Sequence, residues 1–317
     1  MKPYPLASDL REPALRVAVP RAPRLVVGQE LASCPRRIQA VQRARMHHSK
    51  RGGGISMKTI PIAFKMAAVV LTSVWLAGTS YGVEIKVMTS GGFTEAYNAL
   101  TPEFERATQN KVVTAYGASM GGAPDSIPSR IQRGEPVDVV ILAAPALDDL
   151  IQQGKVVAGS RVDLVRSSIG MGVRAGAPKP DISTVDALRR VLLEATSIAY
   201  SASASGVYIS TELFQRLGIA DQVKGKSKRI ESERVGTVVA RGEAEIGFQQ
   251  VSELLPIPGV DYVGPLPPEV QKVTVFSAGI AAGAKEPDAA RALIKFFTSP
   301  AAAPAITKSG LEPVTSW

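Results

Sequence analysis

The chain has 317 residues, longer than a typical domain of about 100–200 residues, and carries a net charge of +9 that is unevenly spread. Residues 1–56 hold 11 Lys/Arg against 3 Asp/Glu, residues 57–82 hold two lysines and no acid, and residues 83–317 hold 24 against 25. The last region is nearly neutral and contains neither histidine nor cysteine, which argues against a nucleic-acid partner and excludes thiol nucleophiles, disulfides, Cys/His zinc sites and histidine triads there.

The first 56 residues are rich in Arg and Pro without helical or strand periodicity, and are read as a disordered extension or the product of a start codon placed too early. Gly52-Gly53-Gly54 is encoded by GG-starting codons just upstream of Met57, where a ribosome-binding site would sit. From Met57, two lysines precede the apolar run Met66–Ala77, and small residues follow as far as Gly82. That order predicts a signal peptide over 57–82, cleaved near Ala77 or Gly82. The apolar run is too short for a membrane anchor, which needs roughly 20 residues, so no stable membrane insertion is expected after cleavage.

Beyond it, Glu84–Met88 reads as a strand, Thr89–Gly92 as a turn and Phe93–Thr108 as an amphipathic helix, the opening of a parallel α/β sheet. Strand Lys111–Tyr116, helix Ser126–Gln132, strand Val137–Ala143 and helix Ala144–Gln153 continue it. Val137–Ala143 is apolar enough to be buried on both faces. Two extended segments, Arg161–Arg166 and Ile169–Arg174, then suit a crossing between lobes. A second unit follows with helix Thr184–Ala195, strand Ser197–Tyr200, a Ser/Ala/Gly turn, helices Val207–Leu217 and Val235–Arg241, and strand Ile246–Gln250. The basic run Lys224–Arg229 reads as a solvated loop. Strands Val260–Gly264 and Val273–Ala282 and helices over Pro287–Thr298 and Ala301–Lys308 close the chain. Two α/β units joined by paired crossings predict lobe 1 from 83–167 plus 273–317 and lobe 2 from 168–272, with a ligand cleft between them.

Several segments resemble the molybdate-binding branch of the periplasmic solute-binding proteins. They are Val87–Ala96, Tyr116–Ser119, Gly134–Ile141, Ser205–Tyr208, Leu217-Gly218 and Arg241–Phe248. The resemblance covers essentially all of 83–317 and implies the two-lobed type II periplasmic-binding-protein fold, with two mixed sheets flanked by helices. It also implies export to the periplasm and an anion held by hydroxyls and backbone N–H groups at helix starts. The sequence departs from the family's pattern at Gly92, where serine is usual, at Gln250, where tyrosine is usual, and in a second turn longer than the family's Ser-Ser-Gly.

The candidate binding residues therefore suit a larger anion than a tetrahedral oxyanion. Thr89, Ser90, Gly91 and Gly92 form the first small-residue turn, Ser119, Met120 and Gly121 the second, and Ser203 and Ser205 the third. Arg234 and Val235 open a helix that lines the cleft in this family, and Gln250 ends a strand. The competing roles are helix caps for the serines, a flexible loop for 201–206, and a surface ion pair of Arg234 with Glu231 or Glu233. Three such turns and one arginine point to a di- or tricarboxylate.

Within the family the chain resembles periplasmic enzymes that interconvert trans- and cis-aconitate, which implies an allylic proton shift. Without histidine or cysteine the base must be Asp, Glu, Tyr or Lys, and Asp125, Glu233, Tyr116 and Tyr208 all lie near the turns. The alternative is a non-catalytic receptor for a carboxylate, or for molybdate or tungstate, that delivers its ligand to an ABC-transporter permease. The expected partner is a small anionic organic acid, and no cofactor, metal or nucleic acid is implied.

Overall fold

The computed structural model describes residues 82–314. The extension read over 1–56 and the signal peptide read over 57–82 lie outside the described residues, apart from Gly82.

The first lobe opens with β1 (Glu84–Ser90), a 3-10 turn (Gly91–Phe93), α1 (Thr94–Thr108), β2 (Lys111–Gly117), α2 (Ile127–Gln132), β3 (Val139–Ala143) and α3 (Ala144–Gln152). β1 pairs in parallel with β2 on one side and β3 on the other. All five residues of β3 are buried, as expected for a strand covered by helices on both faces. On α1 and its approach, Phe93, Tyr97, Leu100 and Phe104 recur at helical spacing, and each is at most 1% exposed. That stripe packs the helix onto the sheet. Ser126 starts α2 by accepting the Ser129 N–H at 3.4 Å, as an N-cap does.

β4 (Val162–Ser167) leads through Ser168 into the second lobe at β5 (Ile169–Arg174). There follow α4 (Val185–Glu194), β6 (Ile198–Ser201), α5 (Ala204–Tyr208), α6 (Ala220–Lys224), β7 (Ser227–Ile230), α7 (Val235–Ala240), β8 (Ile246–Gln250), α8 (Val251–Leu254) and β9 (Val260–Pro265). The chain returns as β10 (Thr274–Ile280), then α9 (Pro287–Phe297), α10 (Ala303–Lys308) and the short β11 (Glu312–Pro313). The first sheet has the order β11-β4-β10-β3-β1-β2 and the second β7-β6-β8-β5-β9, both mixed. Each has its own apolar core.

Two glutamines stitch the crossings together. Gln271 accepts from Ile169 N–H and donates to Ile169 C=O, both at 2.9 Å. Gln250, with its amide oxygen toward Thr274 Oγ1 at 2.9 Å, donates to Ser167 Oγ at 2.9 Å. Each strand that passes between lobes is thus bonded to the other at the point of passage.

The structure corrects the sequence reading in four places. Thr89 and Ser90 belong to β1, so the first turn begins at Gly91. The basic run does not stay a loop: Ser227–Ile230 is the edge strand β7, its lysine and arginine exposed as befits an edge. The helix expected from Val207 begins at Ala204 and passes through a π-helical turn at Ile209–Leu213. Finally, a short helix, α8, directly follows β8.

Candidate functional site

The carboxyl ends of β1 and β2 meet those of β6 and β8 across a cleft of about 530 Å³ between the lobes. From the first lobe it is lined by Ser90, Gly91, Gly92, Asn98, Tyr116, Ser119, Asp125 and Phe276. From the second come Ser201 to Ser205, Glu231 to Arg234, Gln249, Gln250 and Glu253. The volume falls inside the roughly 300–1,000 Å³ usual for small-molecule sites.

Of the residues singled out in the sequence, the cleft gathers Ser90, Gly91, Gly92, Tyr116, Ser119, Asp125, Ser203, Ser205, Glu233, Arg234 and Gln250. Ser90 Oγ is buried with no hydrogen-bond partner among the described residues. An unpaired buried hydroxyl is costly unless a ligand completes it. Ser119 is fully buried and accepts from Ala143 N–H at 2.9 Å, which leaves its own proton to give. Ser201 and Ser205 share a hydrogen bond at 3.1 Å.

Thr89, Met120, Gly121, Val235 and Tyr208 do not line the cleft. Thr89 and Val235 are buried beside it, and Gly121 is exposed with a φ of +94°, the left-handed bend that lengthens the second turn. Tyr208 points the other way: it is packed in the second lobe's core, and its hydroxyl donates to Val270 C=O at 2.6 Å. Position 208 lies on the buried face of α5.

Two of the departures from the family's pattern have physical causes. A Cβ at Gly92 would stand 2.1 Å from Phe276 Cζ, so the aromatic ring fills the space a serine would occupy. Gln250 faces the cleft, but its amide is consumed by Thr274 and Ser167.

The charges are arranged in pairs. Arg234 donates from Nη2 to Glu95 Oε1 at 3.1 Å, which joins α7 of one lobe to α1 of the other rather than pairing with Glu231 or Glu233. Those two carboxylates pair instead with Arg229 at 3.2 Å and with Arg241 at 2.9 Å. The Arg241 contact holds Glu233 below the usual carboxylate range, so it is a weak base. Ser232 donates to Asp125 across the mouth at 3.5 Å. Tyr116 donates to Asn98 Oδ1 at 2.7 Å, and its phenol is raised by burial and by the Glu95 charge, against Arg234.

Glu253, on α8, was not singled out in the sequence. Its carboxyl lies against the bare face of Gly91, where a Cβ would be only 2.0 Å from Oε1. Gln249 holds it from behind: Gln249 Oε1 accepts from Gly236 N–H at 3.4 Å while Nε2 donates to Glu253 Oε1 at 3.0 Å. Burial pushes the Glu253 carboxyl up to about 7, opposed by the positive charge of Arg234 and by the hydrogen bonds from Gln249 and Gln250. The only signal in the sequence is its position four residues past Gln249, at the carboxyl end of a strand, where open α/β sheets place their sites.

Comparisons with known proteins agree with this architecture. The family model for bacterial extracellular solute-binding proteins matches residues 85–312. A Pseudomonas protein named aconitate isomerase is 46% identical over 249 residues, covering 78% of this chain and 95% of the relative. A molybdate-binding protein of Azotobacter vinelandii is 26% identical over 250 residues, covering 74% and 92%. The solved structure of the Azotobacter vinelandii periplasmic molybdate-binding protein superposes with a TM-score of 0.59 at 23% identity, covering 74% of this chain and all of that one. With two lobes, two mixed sheets and the ligand cleft between them, the chain belongs to the bacterial extracellular solute-binding protein family.

Proposed function

We propose that the protein is a periplasmic isomerase that interconverts trans- and cis-aconitate by an allylic proton shift in the interlobe cleft. The observation that carries this reading is the 46% identity, over 95% of its length, to a protein named aconitate isomerase. The cleft suits a tricarboxylate. Its volume exceeds what one tetrahedral oxyanion fills, and Phe276 takes the space of one hydroxyl that a compact oxyanion cage would use. Ser90, Ser119, Ser203 and Ser205 supply hydroxyls for carboxylate oxygens, and Arg234 supplies the positive charge. That charge also stabilises the carbanion formed when a proton leaves the substrate. Export through the segment 57–82 would bring the enzyme to the periplasm.

A second reading is a non-catalytic receptor, for a carboxylate or for molybdate or tungstate, that serves an ABC-transporter permease. Membership of the solute-binding family and the 26% identity to a molybdate-binding protein favour it. Incubating purified protein with trans-aconitate and following the cis isomer by chromatography separates the two. Steady formation of the cis isomer supports the isomerase. No turnover, with aconitate or molybdate still raising the melting temperature, supports the receptor.

A further inference from the structure

We propose that Glu253 is the base that carries the proton between the two carbons of the substrate, an assignment that rests on the isomerase reading. Four sequence candidates compete with it and each is placed less favourably. Glu233 is bound by both guanidinium nitrogens of Arg241, at 2.9 and 3.0 Å. Tyr208 is in the core. Asp125 is exposed at the cleft mouth. Tyr116 is half exposed and donates its proton to Asn98. Glu253 instead lies on α8 against the bare face of Gly91 and lines the same cavity as Arg234 and as Ser90, whose hydroxyl has no hydrogen-bond partner among the described residues.

The step balances without an outside reagent. The Glu253 carboxylate takes a proton from the substrate methylene, and the C–H electron pair spreads over the three-carbon allyl unit and its carboxylates. The resulting carboxylic acid returns a proton to the carbon at the far end, where the new C–H bond forms. The double bond settles between the other two carbons, and the carboxylate is regenerated. A base that must both accept and return a proton works best when neither form is strongly favoured near neutral pH, and burial sets that balance for Glu253. The charged groups that act there are Arg234 on α7 and, through its pairing with that arginine, Glu95 on α1.

Gln249 Nε2 donates to Glu253 Oε1, a bond available to the carboxylate and also to the acid when its proton sits on Oε2. Gly91 is the second requirement. The atom a Cβ would strike is the end of the Glu253 side chain, so Gly91→Ala displaces the carboxyl while leaving the surrounding backbone in place.

The test measures turnover of trans-aconitate and the aconitate-induced rise in melting temperature for the wild-type protein, Glu253→Gln and Gly91→Ala. The expected result is a loss of roughly 10²- to 10⁴-fold in kcat for Glu253→Gln, with the melting-temperature rise retained. For Gly91→Ala, kcat falls while the unliganded melting temperature stays near wild type. In the wild type, kcat/KM climbs with pH through one ionisation near 7. Glu253→Gln turning over at the wild-type rate overturns the assignment and leaves the isomerase standing. If Glu253→Gln does not fold, an unaltered kcat in Gly91→Ala together with a flat pH profile overturns it equally. A wild-type protein that binds aconitate without converting it overturns the isomerase reading itself.

Discussion

Replacing Gly92 by serine would restore the hydroxyl usual at that position in the molybdate-binding branch, and the structure says the change is blocked by one ring. The new Cβ would lie 2.1 Å from Phe276 Cζ, 2.5 Å from Cε2 and 2.7 Å from Cε1. Phe276 is 3% exposed and packs in the first lobe's core, so its ring can yield only toward the cleft it lines, at the cost of its core contacts. Overpacking of this kind costs about 1–3 kcal/mol. Phe276→Ala alone leaves a cavity and costs about 3–5 kcal/mol. In the double variant the serine occupies part of that cavity and the clash disappears. The two changes together therefore cost less than their sum by about 1–3 kcal/mol, within the range seen for residues in contact. Urea unfolding of the wild type, both single variants and the double variant gives the coupling directly. Additivity to within about 0.3–0.5 kcal/mol, the behaviour of independent sites, would refute the claim that Phe276 is what closes this position.

Three further outcomes follow from the charges and hydrogen bonds of the cleft. Glu95→Gln releases Arg234 from its partner across the lobes; since both side chains are about 30% exposed, stability changes by less than about 1 kcal/mol, while calorimetry shows tighter aconitate binding. Glu253 has a folded-state pKa raised from 4.5 to about 7, so between those values the folded protein binds more protons than the unfolded one. Its contribution to stability is complete below pH 4.5 and is lost as pH rises through about 7, and Glu253→Gln removes that slope from a plot of melting temperature against pH. Tyr208→Phe leaves the buried Val270 carbonyl without its donor, costs about 1–3 kcal/mol, and leaves kcat unchanged; a drop in kcat would contradict the placement of Tyr208 outside the site.

Much of the fold was legible because its signals are local and strong. The β3 run Val139–Ala143 is apolar throughout, β5 and β8 appear at the residues read from the sequence, and Thr184 caps α4 as its hydroxyl suggests. What was missed lacks such signals. Edge strand β7 is a charged run whose strand character comes only from its parallel pairing with β6. Helix α8 is four residues long and too short to show a period. The site divides in the same way. Turns rich in Ser and Gly mark the cleft wall from the sequence alone. The engagement of Gln250 by Thr274, the ring of Phe276 over Gly92 and the entry of Glu253 beside Gly91 all join residues distant along the chain. Tyr208 shows the limit most plainly, because the partner that takes its hydroxyl, the Val270 carbonyl, lies 62 residues further along the chain.

The position of β10 has a bearing on the order in which the protein can assemble. All strands of the second sheet come from the unbroken stretch Ile169–Pro265, so that sheet has every partner once synthesis passes residue 265. The first sheet is different, because Thr274–Ile280 fills the gap between β3 and β4. Until that late segment arrives, β3 keeps an open edge and the strand that leaves for the second lobe has no neighbour within its own sheet but the still later β11. The half of the molecule made first is therefore the half that finishes last. Contacts spanning well over a hundred residues, such as Lys285 N–H to Asp138 at 2.6 Å, are of the kind that close slowly in folding.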